Sequence, residues 1–213
     1  MLVADRERQI SALLDVVEAM AGTAPTVVDL ACGPGTISRR LYDRLPRARS
    51  IAVEVDPVLL TIASATFADD DRVQVVCPDL RDPGWGDALP DCQVDAVVTA
   101  TALHWLPRTL FAACTAISQA WSVGMAWWRT VNGCRCRPPS PGPRRDAWWE
   151  QASREPALQP AMTQRRAVFE TTYPTEEFSP PADWHIAAMR DAGFAEAGVV
   201  WRSGPAAVIA AVR

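Results

Sequence analysis

Residues 27 to 36 read Val27-Val28-Asp29-Leu30-Ala31-Cys32-Gly33-Pro34-Gly35-Thr36. The β-branched apolar run suits a buried strand, Gly33-Pro34-Gly35 forces a turn, and a helical pattern starts at Thr36. Working outward, Ile51-Ala52-Val53-Glu54 closes a second apolar run on an acid, and the run from Val73 closes on Asp79. Turn glycines let the backbone approach a ligand closely, and carboxylates at strand ends accept hydrogen bonds from hydroxyl and amino groups. Three such segments suit an adenosyl ligand. A dinucleotide fingerprint wants a third glycine where this chain has Ser38, so a pyrophosphate site is disfavoured. Each residue also has a plainer reading. Asp29 could cap a helix N-terminus, Cys32 could be a small buried filler, Glu54 an exposed strand-end acid, and Asp79 an ordinary turn acid after Pro78.

The rest of the chain repeats a β-α-β-α rhythm. Ile10, Leu13, Leu14 and Val17 recur at helical spacing, so 5–21 reads as an amphipathic helix leading into a strand at 26–30 and able to cover the mouth of the site. Further strands are expected at 50–55, 73–77 and 94–99, with Pro57 in the first turn of the helix after the second strand. Later come a helix over 183–192 and two strands over 195–201 and 206–212, joined by Ser203-Gly204-Pro205. This is the pattern of an α/β doubly wound, mostly parallel sheet with its ligand at the carboxyl ends of the strands. At 213 residues the chain is expected to form a single domain, 1–213, in which 146–170 is an inserted helical lid on the substrate side.

Composition narrows the function. A net charge of −4 provides no basic footprint for nucleic acid, so a small-molecule substrate is expected. No run approaches the ~20 apolar residues of a membrane span, and none resembles a signal sequence, so the expected location is cytoplasmic and membrane partners are not expected. The six cysteines include no C-x-x-C pair; Cys134 and Cys136 close no tetrahedral zinc site, and no metal is expected. All 21 basic residues are arginine, which suggests a GC-rich coding sequence.

With its strand, Gly-x-Gly turn and helix over 27–36 and the acid Glu54, the chain resembles the class I S-adenosylmethionine-dependent methyltransferases. Thr99-Ala100-Thr101-Ala102-Leu103-His104-Trp105-Leu106 resembles the stretch in small-molecule members such as the trans-aconitate-like branch, and it lacks the N-P-P-Y type signature of amide or adenine N-methylation. The resemblance implies a seven-stranded Rossmann-like sheet ending in an antiparallel hairpin, with S-adenosyl-L-methionine as cofactor. It implies that Gly33 and Gly35 pack on the methionine part, with Asp29 near its amino group. Glu54 would take the ribose hydroxyls and Asp79 the adenine amino group, with Leu80 on the ring; Ala31, Val55 and Thr99 complete the expected cofactor site. The acceptor would be an oxygen, carboxylate or carbon nucleophile. His104 is the candidate general base, because neutral imidazole near pH 7 suits the task, with a packed structural histidine as the alternative. His185 is expected to be a surface or core residue. Trp105, Trp148 and Trp149 are candidates for the substrate wall, core filling being the other reading. A catalytically inactive adenosyl-binding domain, or a damaged gene product, is the competing function, and the oligomeric state is open.

One stretch departs from the family. Between Asp95 and Asp146 there is not one Asp or Glu, although the whole chain carries 25. Residues 108–145 hold Trp127-Trp128, Cys134-Arg135-Cys136-Arg137 and Pro138-Pro139-Ser140-Pro141-Gly142-Pro143 where the family has a helix, a glycine turn and a strand. Back-translated with GC-rich codons and read one frame over, 110–134 yields those elements, so a pair of compensating frameshifts is expected, with a true insertion as the alternative. In the frame as written, Leu110, Ala113, Cys114 and Ile117 still trace a helical face, and 123–131 could still serve as a strand.

Overall fold

The computed structural model describes residues 2–100, 102–103, 106, 108–109, 112, 114–116, 124–130, 143–170, 180–204 and 206–213. Parallel strands β1 (Thr26–Leu30), β2 (Arg49–Val53), β3 (Val73–Val76) and β4 (Ala96–Ala100) form its N-terminal half, with β1 between β2 and β4. β5 (Gly124–Thr130) adds parallel to β4. The hairpin of β6 (Glu196–Ser203) and β7 (Ala206–Val212) is inserted so that β7 runs antiparallel to β5. The full order is β3-β2-β1-β4-β5-β7-β6. The strand after Val123 is therefore present in the backbone, in the interior of the sheet, with Gly124 opposite Ala96 on one side and Val212 on the other.

Helices cover both faces. α1 (Leu2–Ala21) lays Ile10, Leu13, Leu14 and Val17 on one face with Ile37, Leu41 and Tyr42 of α2 (Thr36–Arg44), against Val27, Val98 and Val208 of the sheet. Three acids of α1 reach two arginines of α2: Glu7 pairs with Arg40, and Asp15 and Glu18 with Arg44. On the other face, α6 (Ala182–Asp191) buries Met189 with Phe194 and Ile209. His185, on the same helix, is 1% exposed and edge-on to Trp184, so it is a core residue. α3 (Pro57–Thr66) follows β2, while α4 (Pro143–Ala152), a short 3-10 turn (Pro156–Leu158) and α5 (Gln159–Glu170) lie between β5 and α6 in the chain. α5 packs on α3, beside the carboxyl ends of β1 and β2.

Strands β1, β2 and β3 run within two residues of their expected bounds, and β4 begins two residues late at Ala96, after Asp95 takes the Thr26 N–H at 2.8 Å. Among the described residues no helix is long and apolar enough to cross a membrane, and no cluster of histidine, cysteine and acidic side chains could hold a metal.

Candidate functional site

The β1–α2 turn is built from backbone that side chains rarely tolerate. Ala31 sits at φ 53°, Gly33 at φ 61° and Gly35 at φ 85°. A non-glycine residue in the left-handed region carries strain that the surrounding structure must hold. Here it is held by the Cys32 N–H donating to Val53 O at 2.9 Å and the Gly35 N–H to Cys32 O at 3.1 Å. The two glycines serve different ends. A Cβ on Gly33 would meet nothing within 4 Å, so that face opens on free space. A Cβ on Gly35 would lie 2.3 Å from Phe67 Cε2, so this glycine lets the turn rest on the Phe67 ring.

Free space beside Gly33 belongs to a cavity of about 530 Å³ at the carboxyl ends of β1, β2 and β4, within the size range of ligand pockets. Its wall holds Ala31, Cys32, Gly33, Glu54, Val55 and Asp56 on one side and Asp79, Leu80, Leu103 and Leu106 on another, while Arg6, Trp149, Arg165 and Phe169 close it.

Glu54 is the central polar group. Only 5% exposed, it accepts from the Gly33 N–H through Oε2 at 2.8 Å and from the Val55 and Asp56 N–H groups through Oε1, both at 2.8 Å. Burial raises its pKa, and the three backbone donors oppose that rise. A carboxylate oxygen accepts more than one hydrogen bond, so Oε2 retains a lone pair for a hydroxyl in the cavity. Of the other expected cofactor residues, Ala31, Gly33, Val55, Asp79 and Leu80 are on the wall with it.

Asp29, Gly35 and Thr99 are not on that wall. Asp29 lies behind the turn, 1% exposed, and its Oδ2 accepts from Ser38 Oγ at 2.9 Å and from the Ser38 N–H at 3.3 Å. It thus caps α2 from the strand, as the plainer reading of this acid anticipates. Its Oδ1 is buried without a partner, and burial pushes the carboxyl up to about 7 against the two Ser38 bonds. Thr99 Oγ donates to Leu30 O at 2.8 Å and ties β4 to β1. Asp79, though on the wall, is engaged by its near neighbour. Arg81 Nε donates to Oδ1 at 2.8 Å and the Arg81 N–H to the same oxygen at 2.9 Å, holding the carboxyl below its usual range. His104 and Trp105 lie outside the described residues. Trp149 is on the wall, whereas Trp148 is 40% exposed and edge-on to Trp149.

Sequence reading missed Asp56, Arg165 and Phe169. Asp56 caps α3, accepting from the Val58 N–H at 3.0 Å, and its other oxygen takes Arg165 Nε at 2.6 Å. An Asp directly before Pro57 is a helix-start signal that could have identified the cap. Nothing local marks Arg165, whose partner is 109 residues away.

Residues 27–122 match the family described as a methyltransferase domain. A trans-aconitate 2-methyltransferase of Azoarcus sp. is 36% identical over 84 residues, which cover 39% of this chain and 30% of the relative. The chain thus spans under a third of that protein's length. Among solved structures, an O-methyltransferase family protein from Burkholderia thailandensis superposes with a TM-score of 0.64 at 18% identity, over 97% of this chain and 56% of that one. Human N-acetylserotonin methyltransferase, solved in complex with SAM, superposes with a TM-score of 0.57 at 16% identity, over 96% of this chain and 54% of that one. At such identities the likeness establishes the α/β methyltransferase fold.

Proposed function

We propose that this chain is a class I S-adenosylmethionine-dependent methyltransferase and moves a methyl group from S-adenosyl-L-methionine to an oxygen, carboxylate or carbon nucleophile of a small molecule. The strand order supports reading the sheet as the seven-stranded sheet of that class. The observation that carries the proposal is Glu54, a buried carboxylate fixed by three backbone donors at the edge of a cavity whose adjoining wall is the bare face of Gly33. Such a wall can take a ligand chain close to the backbone and a diol at a fixed acceptor. The residues present fit the cofactor: the backbone of Ala31 to Gly33 would flank its amino-acid part, Glu54 its ribose, and Val55 and Leu80 its base.

When bound, the cofactor supplies an electrophilic methyl on a sulfonium, open to in-line displacement. The protein's task is then to position and to keep water out. Leu103, Leu106, Trp149 and Phe169 provide the apolar part of the wall, where an acceptor can be held dry. His104 is proposed to accept the proton of an acceptor that arrives protonated.

Calorimetry with S-adenosylhomocysteine tests the binding step. A charged hydrogen bond is worth roughly 1.5–3 kcal/mol, so Glu54→Gln should weaken binding about tenfold or more. Equal affinity in that variant overturns the assignment. Formation of S-adenosylhomocysteine from S-adenosylmethionine, across a panel of carboxylate, hydroxyl and carbon acids, tests turnover; binding without turnover over the panel reduces the chain to an adenosyl-binding module.

A further inference from the structure

The segment of α4 and α5 makes little core of its own. Over 147–169, Ala152 and Ala161 are the buried residues, and the other positions are half-buried or exposed. Segments with so little apolar burial open at low cost. Among the described residues, an ion pair from Arg165 to Asp56 crosses the boundary between this segment and the cavity. The Arg165 guanidinium lies 4.0 Å above the Trp149 ring centroid and 4.5 Å from that of Phe169, and its Nε donates to Asp56 Oδ2 at 2.6 Å. The Asp56 side chain is 5% exposed. One arginine therefore joins α4, α5 and the start of α3. Moreover, the Asp56 N–H donates to Glu54 Oε1, so this contact adjoins the carboxylate assigned to the ribose.

We propose that α4 and α5 form a gate over the cofactor end of the cavity, held shut by the Arg165–Asp56 clasp, which sets how fast the cofactor leaves. The proposal rests on the cofactor reading above. Arg165 is a positioning residue here: it stacks Trp149 and Phe169 into the wall and latches them to the cap of α3. Opening requires the guanidinium to leave both rings and the carboxylate together, so the clasp acts on the exit rate more than on entry.

Two variants separate the clasp from general stability. Arg165→Met keeps an apolar stem against the rings and removes the charge. Asp56→Asn keeps a good helix cap, because an amide oxygen can still accept from the Val58 N–H, but it offers Arg165 a competing donor. Stopped-flow displacement of bound S-adenosylhomocysteine should show exit about tenfold faster in each single variant, the scale expected for one charge-assisted hydrogen bond. The double variant should be no faster than Arg165→Met alone, because that variant already removes the contact that Asp56→Asn weakens. Trypsin cleavage after Arg154, in the link between α4 and α5, should accelerate in parallel in the free protein. Exit rates equal to wild type, effects that add in the double variant, or unchanged cleavage overturn the clasp. A wild-type chain that binds no S-adenosylhomocysteine instead overturns the cofactor reading, and the role of the clasp with it.

Discussion

Asp29 should make this protein less stable as the pH rises from acid to neutral. Its carboxyl is wholly buried, one oxygen is without a partner, and its folded pKa is pushed from 3.8 up to about 7. Between those two values the folded state holds a proton that the unfolded chain has released. Stability from this group is therefore present below pH 3.8, declines as the pH rises, and is fully lost above about 7. A shift of about three units at 1.36 kcal/mol each amounts to about 4 kcal/mol across the window. Asp29→Asn removes this dependence. The amide oxygen can still accept from Ser38, but the amide nitrogen would occupy the position of the orphaned Oδ1 with no acceptor, at a cost of about 1–3 kcal/mol. The difference between the two proteins should then change sign. Below about pH 5 the asparagine variant should be equal or less stable, and at pH 8 more stable by about 1–3 kcal/mol. Urea unfolding of both proteins from pH 4.5 to pH 8.5 would measure it. A stability difference that does not vary with pH would refute the reasoning, since it would mean that the folded carboxyl titrates as it does in the unfolded chain.

Both turn glycines should cost stability when replaced, but only one should change binding. Gly35→Ala places a methyl 2.3 Å from Phe67 at φ 85°, so left-handed strain and overpacking together should cost about 2–5 kcal/mol in a thermal melt, with Phe67→Leu restoring part of it. Gly33→Ala, at φ 61° with open space ahead, should cost about 1–2 kcal/mol of stability while its methyl intrudes on the cavity and weakens S-adenosylhomocysteine binding in calorimetry; unchanged binding would place the ligand elsewhere. A chain carrying the shifted-frame reading of 110–134 should melt higher than the chain as written, and equal melting temperatures, or a gene resequenced with no plausible alternative frame, would restore 108–145 as a true insertion.

What was legible in the sequence follows from the range of each interaction. The β1–α2 turn, Glu54 and the Pro57 helix are local: an apolar run, two glycines and an acid within a few residues determine them. The roles expected of Asp29 and Asp79 were less legible, because a carboxylate near a strand end can face the ligand or a neighbouring donor. Ser38, nine residues on, and Arg81, two residues on, are the partners the structure supplies. Sequence spacing shows that those donors exist but not which of them each carboxylate engages. Arg165 was illegible for a different reason. On a mostly exposed helix it reads as one more solvated charge, and its meaning arises only when the fold brings Asp56, Trp149 and Phe169 around it.

The order β3-β2-β1-β4-β5-β7-β6 also bears on how the chain is made. Strands β1 to β4 come from 26–100, so that half of the sheet can pair as soon as those residues leave the ribosome. β5 follows at once beside β4, but its other edge is covered only by β7, where Gly124 faces Val212. Until Ala206–Val212 is synthesised, the nascent sheet ends in an uncovered strand, and such edges recruit other chains. Slow synthesis or truncation ahead of Ala206 should therefore yield aggregates rather than a smaller folded domain, and chaperone capture should fall on that interval of translation.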